Sequence, residues 1–131
     1  MDLLDKYIKE LGEDTSLDEF TVRDVQMKLP GIKHKWAGRL MRLKLDNEKL
    51  KADRGRHINS LADQLIKESH VKLSKPIARQ TVEQHESIIE MNRTIKDNTV
   101  AIEFLEKAER ILNSMTFDIK NLTEIMKLET Q

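Results

Sequence analysis

Two apolar seams, each about thirty residues long, constrain this chain more than any other feature. The first runs through Trp36, Leu40, Leu43, Leu50, His57, Leu61 and Leu65, with Asn47 and Arg54 filling its gaps. Spacings of four and three give it the heptad pattern of a helix lying along a partner helix. The second seam places Val82, His85, Ile89, Asn92, Ile95, Ile102, Leu105 and Leu112 on one side of a helix from about Ile77 to Asn113. Ser69–Pro76 breaks the pattern between them, and Lys75-Pro76 precedes a new helical start. Two long seams joined by a Pro-containing turn are expected to fold as an antiparallel hairpin.

The remaining segments also read as helical. With four glycines and two prolines in 131 residues, little interrupts the backbone, and an all-α fold follows. Asp2 can cap a short helix carrying Leu3, Leu4, Tyr7, Ile8 and Leu11, stopped by Gly12. After a polar connector, a second short helix carries Phe20, Val22, Val25 and Met27 as far as Leu29. Pro30-Gly31 is expected to end it, so the long helix should begin at Ile32 and run to Glu68. Gly38 and Gly55 weaken that helix by about 1 kcal/mol each relative to Ala, and Gly55 is a candidate kink. Ser114-Met115-Thr116 should interrupt the second long helix.

Beyond that interruption, Phe117, Ile119, Leu122, Ile125, Met126 and Leu128 crowd a last helix near Asp118–Glu129. That is more apolar surface than an isolated helix leaves in water. The expectation is a helical domain over 1–113 and an oligomerisation helix over 114–131, docked on neighbouring subunits.

The formal net charge of zero conceals an asymmetry. Residues 1–27 carry eight acids and three bases, a net of −5, whereas residues 28–57 carry ten bases and three acids, a net of +7. Residues 58–79 add +2 and residues 80–131 return −4. A basic block between acidic flanks suits local binding of phosphate, although a charge run is also what an ordinary solvated helix face looks like. Lys35, Arg39, Arg42, Lys49 and Arg56 follow one another at four, three, seven and seven, so they share one flank of the seam. Lys44 and Lys51 lie seven apart on another flank, and Arg54 sits in the seam itself. Two lines of cations over about 30 Å can follow a nucleic-acid backbone. Five aromatic residues in the whole chain leave little for base stacking, so binding would be mainly electrostatic. Trp36, at a seam position, reads as core.

Catalysis finds no support in the sequence. His34, His57, His70 and His85 are scattered, and there is no metal-ligand spacing, P-loop or nucleophile elbow. Neither enzyme activity nor a cofactor or metal is expected. Without cysteine there are no disulfides, and a reducing compartment fits. Acids at the start and the lack of a long apolar run predict a soluble, cytosolic protein with no membrane partner.

Several features in order carry a family likeness across nearly the whole chain. These are an acidic start with Leu17-Asp18, Lys35-Trp36 opening a basic helix, and Leu105-Glu106 leading to Met115-Thr116-Phe117-Asp118-Ile119-Lys120-Asn121. A terminal helix then closes in Leu128-Glu129. In these the chain resembles the UvsY recombination mediators of tailed phages, which load a RecA-like recombinase onto single-stranded DNA. The resemblance implies a ring-like, heptameric homo-oligomer, with the phage recombinase and the phage single-strand-binding protein as partners. It also implies action in the cytoplasm of the infected bacterial host. DNA contacts are implied for the helix after Lys35-Trp36, where Arg54-Gly55-Arg56 is the nearest match to the family's Lys-x-Arg pair. Two other readings use the same seams: a coiled-coil scaffold or assembly protein without nucleic acid, and a general binder of duplex DNA.

Overall fold

The computed structural model describes residues 2–130, which form four helices and no strand: α1 Asp2–Asp14, α2 Val22–Glu68, α3 Lys75–Val82 and α4 Glu86–Glu129. The fold is all-α, as the seams required. Contacts divide the chain into two compact units, one of residues up to Arg42 with those from Val100 onward, the other of Leu43–Thr99.

In the Leu43–Thr99 unit, side-chain hydrogen bonds join Asn47 to Asn98, Arg54 to Asn92 and His57 to Ser87. One number rises as the other falls, so α2 and α4 run antiparallel there. Ile58, Ala62, Ala78, Val82 and Ile88 form a core from α2, α3 and α4, flanked by half-buried Leu61, Leu65, Ile66 and Met91. Ser74 caps α3, its hydroxyl accepting from the Ile77 N–H at 3.4 Å, and Pro76 stands in the first turn, where no N–H is needed. In the other unit Leu11, Leu29, Trp36 and Leu40 are buried, as are Ala101, Leu105, Ala108, Leu112, Met115 and Ile119.

Several expectations about where helices begin, bend and end are corrected. α2 does not stop at Pro30-Gly31; it is one helix from Val22 to Glu68, so the expected second short helix is its first turns. Leu29 is buried while Pro30 and Gln26 face solvent. Packing therefore holds the flanking turns, and water can satisfy the Gln26 carbonyl that Pro30 leaves without a donor. Gly55 makes no break either: α2 passes through it, and no glycine has a positive φ.

The second long helix begins later than expected, because Glu83–His85 form a turn between α3 and α4. The phase set by Val82 and His85 is therefore lost: Ile88 is buried and Ile89 is exposed, the reverse of the expected seam. Finally, α4 runs through Ser114-Met115-Thr116 without interruption. The Ser114 hydroxyl bonds back to the Ile111 carbonyl at 2.9 Å, and Met115 is buried, so the sequence signal for a break is absorbed locally.

Candidate nucleic-acid interface

The two units present the cations of α2 in different states. In the unit that holds the chain ends, Lys35 and Arg39 lie under α1. Leu11 is the buried residue of α1, and its burial contributes roughly 1.5–3 kcal/mol to docking. The rest of the contact is polar and aromatic. Lys35 Nζ sits 2.6 Å from Asp14 Oδ2 and 3.4 Å from Glu10 Oε1, while the Arg39 guanidinium grips both oxygens of Glu10. Trp36, 1% exposed, donates from Nε1 to Asp14 Oδ2 at 2.8 Å. Its ring meets Tyr7 edge-on, with centroids 5.6 Å apart and planes at 71°. Arg39 lies over both rings, 5.2 Å from the Tyr7 centroid and 4.8 Å from that of Trp36.

The hydrogen bond from Arg39 is the main reason that the Glu10 carboxyl is held below the usual range, and the same bond raises the Arg39 guanidinium. Glu10, Asp14 and Tyr7 were not singled out as site residues in the sequence. A signal existed, since Tyr7, Glu10 and Asp14 are spaced three and four and so share a helix face. Because α1 continues through the expected stop at Gly12, Asp14 reaches Trp36. Arg42, the last cation of α2 in this unit, is exposed and has no ion pair among the described residues.

In the Leu43–Thr99 unit the cations are more open. Lys44 and Lys49 are exposed and carry no ion pair among the described residues. Lys51 pairs with Glu48 at 3.3 Å, and Arg56 pairs with Asp53. Each is an exposed pair three residues apart on α2, the kind worth about 0.3–0.5 kcal/mol and readily exchanged for a phosphate. Arg54 is half-buried and donates to Asn92 Oδ1 at 2.9 Å, which agrees with its place in the seam. Lys49 and Arg56, seven apart, share a flank, and Lys44 and Lys51 another.

The six residues expected to drive assembly separate into two groups. Ile119 is 4% exposed, and Leu122 and Met126 are half-buried. Phe117 and Leu128, at 69% and 71%, and Ile125 are exposed. At 100° per residue the outward three lie within about 80° of one another, roughly opposite Met115, Ile119 and Met126. A groove of about 450 Å³ between Gln26 and Leu29 of α2 and the Thr116–Lys127 stretch of α4 lies in the same unit.

Among the described residues no group of three or more His, Asp or Glu comes together as a metal site would require, and no helix is long and apolar enough to cross a membrane. No family model and no curated protein sequence matches the chain. A solved structure does match: the crystal structure of the bacteriophage T4 recombination mediator protein UvsY, lattice type IV. The likeness covers 96% of this chain and 98% of that one, with a TM-score of 0.80 at 13% identity. This chain has the UvsY fold. The family likeness read from the sequence is thereby matched in fold, while identity this low carries the backbone path and not the side chains. Site residues rest on this chain's own chemistry.

Proposed function

We propose that this protein is a recombination mediator. It binds single-stranded DNA through α2 and promotes loading of a RecA-like recombinase onto strands coated by a single-strand-binding protein. The observation that carries this reading is the net +7 of residues 28–57, borne by the long helix of a chain with the UvsY fold. Lys44, Lys49, Lys51 and Arg56 are the exposed cations of the Leu43–Thr99 unit, and Arg54 supports them from the seam. Arg42 is available in the other unit, where Lys35 and Arg39 are engaged by α1. The protein works as a ring-like homo-oligomer in the cytoplasm of an infected bacterial host. Several copies together supply the avidity that a helix also carrying Asp46, Glu48 and Asp53 lacks alone.

The test is binding to a labelled oligonucleotide, single-stranded against duplex, across a range of salt concentrations. About three to five phosphate contacts per engaged copy predict a log–log slope of about −0.7 for each contact. Replacing Lys49, Lys51, Arg54 and Arg56 together with Ala should make that slope shallower and weaken binding, with helicity and oligomer size retained. Preference for duplex would favour the general DNA binder. Absence of binding at low salt would leave a coiled-coil scaffold, for which the pairing of Lys51 with Glu48 and Arg56 with Asp53 already speaks. Recombinase loading is then read as a shortened lag in strand exchange on coated single strands.

A further inference from the structure

The acidic helix α1 covers three residues of the kind that single strands use. Lys35 and Arg39 are two cations one helical turn apart, with the indole of Trp36 beside them, and cations next to an aromatic ring are the usual means of holding a phosphodiester chain and its bases. Each cation is bonded to carboxylates of α1, Lys35 to Asp14 and Glu10, and Arg39 to both oxygens of Glu10. We propose that Lys35, Arg39 and Trp36 form a latent single-strand subsite covered by α1, in which the Glu10 and Asp14 carboxylates stand in place of backbone phosphates. The proposal rests on the single-strand reading above and adds to it an intramolecular competitor.

The attachment of α1 suits a cover that lifts. Its thirteen residues bury Leu11 alone, while Leu3 and Ile8 remain exposed. A helix of that length is marginal in isolation, so its order depends on docking. Residues 15–21 tether it without regular helical structure, apart from a turn in which Asp18 Oδ1 accepts from the N–H groups of Phe20 and Thr21 at 2.8 and 3.0 Å. Ion pairs at this degree of exposure are screened by salt and replaceable by other anions. A polyanion offering adjacent phosphates is the ligand class able to compete for both cations at once.

Trp36 is the sole tryptophan, so the unaltered protein reports on its own cover. Titration with an oligothymidylate, followed by anisotropy and by tryptophan emission together, should quench or shift the emission as binding saturates. Saturated binding with unchanged emission would overturn the cover while leaving single-strand binding intact. The second arm compares wild type with the Glu10→Gln, Asp14→Asn double variant, its helicity checked by circular dichroism. With two more cations free, affinity at low salt should rise roughly tenfold and the slope should steepen by up to about 1.4. Equal affinity and slope in the two proteins overturns the proposal. If neither protein binds at any salt, the single-strand reading fails and the subsite falls with it, an outcome told apart from the first by the behaviour of wild type.

Discussion

The Asn98 side-chain amide donates a hydrogen bond to Asn47 Oδ1 at 3.2 Å, and so places a polar pair inside a seam that is otherwise apolar. Asn47 is 2% exposed, and its own amide reaches Thr99 Oγ1 at 3.5 Å, while the Thr99 hydroxyl donates to the Ile95 carbonyl at 2.8 Å. No buried polar side-chain atom among the described residues lacks a partner. A pair of this kind fixes which turn of α2 faces which turn of α4, because any slip of register strands both amides.

Replacing Asn47 with Ala should therefore destabilise the protein by about 1–3 kcal/mol, since Asn98 loses its acceptor and a void remains. Asn47→Leu should recover much of that stability while loosening the register. Urea unfolding measures the first effect, and the line width of amide resonances in the Leu43–Thr99 unit measures the second. An alanine variant as stable as wild type would show that the pair has no structural role.

Gly55 offers a prediction of opposite sign. α2 is helical there, a Cβ added at this position meets nothing within 4 Å, and no glycine in the chain has positive φ. Gly55→Ala should raise stability by about 0.5–1 kcal/mol, chiefly by restricting the unfolded chain. A lower urea midpoint would mean that the glycine serves a bent form of the helix that alanine resists.

What was legible in the sequence was the part set by period. Trp36, Leu40, Asn47, Leu105 and Leu112 were placed on the inner faces by spacing alone, and they are buried. What was not legible depended on partners remote in sequence. Pro30 and Ser114 carry strong local signals for ending a helix, but Leu29 and Met115 are anchored by packing, and a propensity of a few kcal/mol yields to burial on both sides. Lys35 and Arg39 looked like solvent-facing cations because their acids lie more than twenty residues earlier, on α1. The inner and outer apolar positions of the last helix are not separable by spacing, because a short segment apolar on two faces gives no period to divide them.

Acidification should loosen α1. The Glu10 carboxyl is held below its usual range, mainly by its hydrogen bond to Arg39, so its ionised form is favoured when α1 is docked. A group depressed on docking contributes stability that is complete above its ordinary range and is lost as pH falls through the depressed value. Near neutral pH the contact should thus be insensitive to pH, and below the ordinary glutamate range Trp36 should become more accessible to quenchers. Glu10→Gln should remove that part of the acid response. An identical acid titration of Trp36 emission in wild type and variant would show that the Glu10–Arg39 pair does not hold the helix.

Assembly provides the last prediction, because the terminal part of α4 is apolar on two faces. The inner face, with Met115 and Ile119, is buried within one chain. Truncation before Ser114 would therefore strip a core as well as an interface, and cannot test assembly by itself. Phe117 and Leu128 lie on the outer face, about 20° apart at 100° per residue, with Ile125 beside them. This exposed cluster is the surface that the proposed homo-oligomer would cover, and each large apolar side chain fully buried there would contribute roughly 1.5–3 kcal/mol before association costs. Phe117→Asp with Leu128→Asp should dissociate a homo-oligomer into smaller species that keep their helicity and unfold cooperatively at a somewhat lower temperature, read by light scattering and circular dichroism. Ile119→Asp should instead unfold the unit that contains it, since a charge placed at a position 4% exposed has neither water nor a partner. If the double Asp variant keeps the size of wild type, the assembly surface lies elsewhere on the long helices, and the outer stripe of α4 serves another partner.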